Sequence, residues 1–414
     1  MDKPLDTLNA KAGTPWRRAA FIFIFVTVLL DMLAIGIIIP VLPKLVVEFV
    51  GGNTESAATI VGLFGTAWAL MQFVFSPIQG ALSDRFGRRA LILISNFGVG
   101  LDYVLMALAP TLGWLFVGRV ISGITAASMS TSYAYVADVT PPDQRAARYG
   151  LLGAAFGAGF VFGPALGGFA GSISPRLPFW IAAGLSLANG CYGLLVLPES
   201  LPHSRRSPFD WRKANPFGAL MLLRSHAELF GLAGVNFLGN LAHAVLPSVT
   251  VLYMFYRYGW DQRTVGLTMA VVGVAAIIVQ GTVVGPVTSR IGERAALMVG
   301  IAFGVMGFVV FALAQAATAF VVGIPLLALW GLENPALLAL MSGFVSPSEQ
   351  GQLQGANASI IGIANLFGPG LFTLAFAFAI GSGADWHQPG LPFLIAALLL
   401  AAAAILAWRV TRRA

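Results

Sequence analysis

Long apolar runs alternate with short polar breaks along the whole chain. Twelve runs can be marked: 19–42, 57–79, 90–109, 113–137, 149–171 and 178–197, then 227–256, 264–285, 295–314, 319–345, 353–380 and 391–408. A helix that crosses a bilayer needs about 20 mostly apolar residues, so each run predicts one crossing. The longest polar stretch, 198–225, divides them six and six. The expected organisation is an N-terminal segment 1–18, a six-helix bundle 19–197, a linker 198–225, a second bundle 226–408 and a tail 409–414. The first apolar run is too long for a cleaved signal peptide, and no small-residue cleavage site follows it.

Composition agrees. Of 414 residues 57% are hydrophobic and 10% charged, against about 25% charged in a soluble domain. Mean hydropathy is +0.83. Soluble enzymes, nucleic-acid binders and disordered scaffolds are excluded on these grounds. The single Cys191 allows no internal disulfide and no cysteine-ligated metal.

The net charge of +7 is explained by where the basic residues fall. With the N-terminus placed in the cytoplasm, 19 of the 24 lysines and arginines lie on that side, as the positive-inside rule requires. Lys44, Arg176, Arg257 and Arg263 fall outside, and Arg119 lies within a span. A wrong helix count in either half would scramble this asymmetry.

The halves repeat each other. GALSDRFGRR at 80–89 is echoed by GPVTSRIGER at 285–294, TPPDQ at 140–144 by SPSEQ at 346–350, and FGPAL at 162–166 by FGPGL at 367–371. The offset is 205 or 206 throughout. Six helices return the chain to its starting side, so the copies are parallel repeats about an axis along the membrane normal. That is the plan of a two-bundle transporter with a site between the halves.

These residues carry a resemblance. GALSDRFGRR resembles the signature loop of the major facilitator superfamily, Arg119 to Gly123 its second motif, and the glycines from 157 to 168 around Gly163 and Pro164 the motif of drug–proton antiporters. LDMLAIGIIIPVLPKL, ALMQFVFSPIQGALSDRFGRR and GQLQG at 351–355 are similar to tetracycline–proton antiporters. The resemblance implies an all-α fold of twelve transmembrane helices in two pseudo-symmetric bundles. It also implies that Gly80, Asp84, Arg85, Gly87, Arg88 and Arg89 latch the bundles together on the cytoplasmic side; topogenic charge alone is the alternative. Ser289 replaces the aspartate in the second copy, which predicts a weaker latch there. For Gly163 and Pro164 the resemblance implies a seal against proton leak, with plain helix packing as the alternative.

Ionisable residues inside spans point to function by default, because burial there is costly. Asp31 lies midway along the first run; Asp102 and Arg119 lie at similar depth on consecutive spans, which predicts a pair. Arg119, Gly123, Ser130 and Tyr133 recur at helical spacing on one face, expected to line a cavity. Glu333 lies mid-span before Asn334 and Pro335, whereas tetracycline exporters carry an acid in span nine that is absent here. Asn236, Asn240 and His243 fall on one face of span seven, and His243 suits proton coupling by its titration range. Proton coupling is therefore expected of Asp31, Asp102, Arg119, Glu333 and His243. Substrate contact is expected of Gln72, Tyr133, Asn236, Asn240, His243, Gln280, Trp330 and Asn357; amides can equally join helices.

No phosphate-binding loop, metal-ligand cluster or nucleophile–base motif is present in the sequence, so no cofactor, metal or enzymatic activity is expected. The expected function is proton-coupled export of a drug-like amphiphile by alternating access, by a monomer embedded in lipid in a bacterial inner membrane with both termini cytoplasmic. Import or uniport of a polar metabolite, and a receptor that moves nothing, are the alternatives.

Overall fold

The computed structural model describes residues 15–125, 128–207, 220, 222–223, 227–346, 349–386 and 388–412. Most of the N-terminal segment, Arg212, Lys213 and Arg224 of the linker, Pro347 and Ser348 of the second turn, and Arg413 lie outside them. Among the described residues twelve helices are long and apolar enough to cross a membrane, and there is no strand. Spans one to six are Phe21–Phe49, Thr54–Phe86, Arg88–Leu108, Leu112–Val139, Arg148–Ile173 and Leu177–Val196. Spans seven to twelve are Glu228–Tyr258, Gln262–Ile291, Glu293–Leu313, Ala317–Ser342, Gln352–Ile380 and Leu391–Thr411. Each corresponds to one apolar run of the sequence.

The repeat is written into the backbone as well. The Asn53 side chain accepts from Ser56 N at the start of span two, and Asp261 does the same for Thr264 N at the start of span eight. These caps satisfy amides that the first helical turn leaves unpaired. Gly87 and Gly292, both with positive φ (106° and 81°), join spans two to three and eight to nine. A side chain disfavours that conformation, which explains a glycine at the same place in both copies. Spans one and seven are interrupted at matching positions, after Ile38 and after His243.

Spans one to six pack among themselves, as do seven to twelve. The larger buried core belongs to the second bundle, around Phe308, Phe311, Phe320, Tyr253 and Phe393. The first bundle has two cores, one around Phe64, Tyr103 and Phe179 and one around Phe23, Tyr135 and Leu152.

Two helix pairs carry most of the contact between the bundles, spans two with eleven and five with eight, and the second half of span seven also touches spans one and two. Their contacts lie away from the arginine-rich loops. A Cβ on Gly65 would meet Pro369, one on Gly168 would meet Gly266 and Gln262, and one on Gly273 would meet Val161. Lys44 adds a cation–π contact, 5.5 Å over the Phe255 ring. Toward the basic end nothing lies within 4 Å of a Cβ built on Gly80, Gly150, Gly153, Gly281 or Gly285. The bundles thus touch at the end remote from the basic loops and part at the basic end. A cavity of about 780 Å³ at that end runs along the span-eight side, past Gly285, Ser289, Arg294 and Pro335.

Candidate functional site

Each bundle holds a buried polar cluster. In the first, span six faces span one: Asn189 Nδ2 donates to Asp31 Oδ1 at 3.1 Å and to Thr27 O at 3.3 Å, and Thr27 Oγ1 donates to Asn189 Oδ1 at 3.2 Å. Asp31 is 9% exposed. Arg119 Nη2 stands 3.6 Å from Asp102 Oδ2, whose side chain is fully buried, and donates to Met106 Sδ at 3.2 Å. Tyr103 lies within electrostatic range of Arg119, Asp102 and Asp31, so the three charged groups share one neighbourhood. Depth along the sequence foretold the Asp102–Arg119 pair; the Asn189 amide it did not foretell.

Span four runs Leu112–Val139 and is described over Leu112–Thr125 and Ser128–Val139, residues 126 and 127 lying outside the described ones. Arg119 and Gly123 lie in the first stretch, Ser130 and Tyr133 in the second. Gly123 packs on Trp68 and Met71 of span two rather than on open space. Tyr133 meets Tyr149 edge-on at 5.3 Å, at the basic half of the bundle. Two carbonyls of the first stretch accept from neighbouring spans: Gln79 Nε2 donates to Ile124 O, and Ser95 Oγ to Thr125 O at 2.5 Å.

In the second bundle Asn236 Nδ2 donates to Asn357 Oδ1 at 2.9 Å, and Asn240 Nδ2 to Asn236 Oδ1 at 2.7 Å. The His243 ring lies 5.6 Å from that of Trp330, whose Nε1 donates to Glu333. Glu333 is 5% exposed and fits where Gly239 of span seven and Gly300 of span nine lack side chains. Gln280 is exposed and donates to Gly331 O at 3.3 Å. The structure brings His243, Trp330, Glu333 and Gln280 together, and separately Asn236, Asn240 and Asn357. Gln72 is half-buried on span two.

The 80–89 loop forms a third cluster. Arg88 Nη1 pairs with Asp84 at 2.6 Å and donates to Ser83 at 3.0 Å, while Nε reaches Asp138 at 3.2 Å. Arg89 donates to Leu194 O, and the Arg85 guanidinium lies over the Phe86 ring. Glu199, which the sequence reading passed over, accepts from Arg88 N at 2.9 Å and faces Arg206 at 3.8 Å; a Cβ on Gly87 would strike it. Its signal was an acid beside a run of arginines. With the bundles parted at this end, these bonds stay within the first bundle and the segment that follows it. Ser289, at the place of Asp84, donates only to Pro286 O among the described residues. Gly163 and Pro164 press on Gly36 of span one, inside the first bundle.

Comparison with known proteins bears on what such an arrangement serves. Residues 24–369 match the profile of the Major Facilitator Superfamily. The chain is 38% identical over 381 residues to a tetracycline resistance protein, class C, of Escherichia coli, covering 92% of this chain and 94% of that one. It is 34% identical over 393 residues to the class H protein of Pasteurella multocida, covering 94% and 96%. Its fold matches the crystal structure of a bacterial homolog of the human lysosomal transporter Spinster with a TM-score of 0.76 at 18% identity, covering 97% of this chain and 98% of that one.

Proposed function

The chain belongs to the Major Facilitator Superfamily, as a multi-pass secondary transporter, and from that premise we propose that it exports tetracycline-like compounds in exchange for protons. The observation that carries this reading is the pair of carboxyl clusters held inside the spans of opposite bundles, Asp31 and Asp102 with Arg119 on one side and Glu333 with Trp330 on the other. A carboxyl so placed costs stability and can carry a proton across. The relatives named for tetracycline resistance supply the substrate class. Their identity extends over nearly the whole chain, beyond any single motif.

The basic end is cytoplasmic by the positive-inside rule. The parted bundles then correspond to an inward-open state, ready to take substrate from the cytoplasm. Substrate entering between the bundles meets the exposed His243 and Gln280, with Asn240 beside them. Binding there favours the ionised carboxylates and releases a proton inward. The bundles then close at the basic end, held by the 80–89 loop, and open at the other. Outside, a proton returns to the carboxyl and substrate leaves. Competition between the two ligands links the fluxes, because each changes the other's affinity by the same factor. The protein acts as a monomer in the bacterial inner membrane, without enzymatic activity.

The test uses inverted membrane vesicles from cells that express the protein. An imposed pH gradient, acid inside, drives radiolabelled tetracycline into them, and a protonophore abolishes uptake. Uptake that is indifferent to the gradient would refute proton exchange. No uptake at all would refute the substrate.

A further inference from the structure

Irregular backbone gathers beside Glu333. Span seven breaks after His243, span eight turns π-helical over Val279–Val283, and span ten turns to 3-10 geometry over Trp330–Leu332. Such short segments often mark functional hinges, and in a bilayer the carbonyls they free must find donors. Gly331 O finds one across the bundle, in Gln280 Nε2. Gln280 belongs to the π segment and is exposed. A carboxamide offers two N–H donors and a carbonyl acceptor, so the bond to Gly331 leaves one donor and one acceptor for a ligand that reaches this exposed side chain.

The other side of the same turn meets the carboxyl. Trp330 is the first residue of the turn, and its indole N–H donates to Glu333, the residue that follows the turn. On the spans packed against Glu333 the charged or titratable groups are Glu228, His243, Tyr253, Tyr256, Arg257 and Tyr258 of span seven, Arg263 and Arg290 of span eight, and Glu293 and Arg294 of span nine. His243 is the one in ring contact with Trp330. Gln280 and Glu333 thus bond to the same short turn of backbone.

Resting on the exchange reading above, we propose that Gln280 is a positioning residue that couples cavity occupancy to the proton on Glu333 through the turn Trp330–Leu332. A ligand with adjacent carbonyl and hydroxyl oxygens pairs with the remaining N–H and Oε1 of Gln280 and so fixes the bond to Gly331. The fixed turn holds the Trp330 N–H on the Glu333 carboxyl. Hydrogen bonding to the ionised form favours that form, so occupancy expels the proton to solvent. With the cavity empty Gln280 moves, the turn relaxes toward α-helix, Trp330 leaves and the carboxylate accepts a proton. The sign is that of exchange.

The test reads protons released per tetracycline bound, using purified full-length protein in weakly buffered nanodiscs with a pH dye, while binding is followed separately. This ratio does not depend on affinity. Wild type releases protons on binding. Gln280→Met, close in volume to the residue replaced, and Trp330→Phe, which keeps an aromatic ring without the N–H, bind with lower affinity and lose more than half of the release per molecule bound. Glu333→Gln gives the same loss. Undiminished release per molecule bound in either coupling variant, with release intact in wild type, overturns this inference and leaves the exchange reading standing. No release from wild type overturns both. Should Gln280→Met fail to fold or bind, Trp330→Phe decides alone.

Discussion

Gly163 and Gly168 lie five residues apart on span five, yet substituting them should have opposite kinds of effect. Gly168 faces the other bundle: a Cβ there meets the Gln262 backbone and, at 3.0 Å, Gly266 Cα. Gly163 faces span one of its own bundle, with Gly36 Cα at 2.6 Å from the same construction. Over-packing costs about 1–3 kcal/mol. At Gly163 that cost falls on every state that keeps the first bundle together. At Gly168 it falls on the state whose bundles touch at the far end, and an energy of that size shifts the equilibrium about 5- to 150-fold. Gly168→Val should therefore favour closure at the basic end.

The reporter is Gly153→Cys, whose position opens on free space toward that end. It is placed in a Cys191→Ser background because Cys191 is exposed. The rate of maleimide labelling should fall when Gly168→Val is added and stay unchanged when Gly163→Val is added. Gly163→Val should instead lower the unfolding temperature. Unchanged labelling in folded Gly168→Val protein would refute the assignment of this contact to one conformational state.

Other outcomes follow from single contacts. Hydrogen bonds from Thr264 hold the Asp261 carboxyl below its ordinary value of 3.8, so its capping contribution is complete above that value and is lost as pH falls through the lowered one. Asp261→Ala should remove about 1 kcal/mol of local stability, read as faster amide exchange at residues 263–266 near neutral pH, with the difference vanishing in acid. Arg119→Gln leaves Asp102 buried without its cation and should cost about 3–5 kcal/mol; adding Asp102→Asn should recover part of the loss in unfolding temperature, and strictly additive losses would contradict the pair. Gly87→Ala and Gly292→Ala both place a side chain at positive φ with extended ψ, a region nearly confined to glycine, at a cost of about 1–3 kcal/mol. Only Gly87→Ala also strikes Glu199, so it should lower the unfolding temperature further than its counterpart.

The crossing pattern was legible because a bilayer demands runs of one length and chemistry. The repeat was legible because the offset of 205 survives in residues that the backbone requires, Gly87 with Gly292 among them. The Asp102–Arg119 pair could be read from depth alone, since consecutive spans run antiparallel and place equal depths side by side. Asn189 beside Asp31 could not: an amide within an apolar run has no periodic mark, and its partner lies 158 residues away. Glu199 was hidden because a linker acid has no fixed spacing from the loop that it bonds. The parted bundles were beyond the sequence for a different reason. States of a transporter differ by a few kcal/mol at one set of contacts, and composition is the same in all of them.

The central claim is that carboxyls in the spans exchange protons for substrate. Its most direct test is purified protein in liposomes with a trapped pH dye, given tetracycline on one side. The account predicts substrate-evoked proton movement in wild type that is lost in Glu333→Gln or Asp31→Asn while tetracycline still binds. Tetracycline flux with no proton movement in wild type, or movement undiminished in both variants, would contradict it.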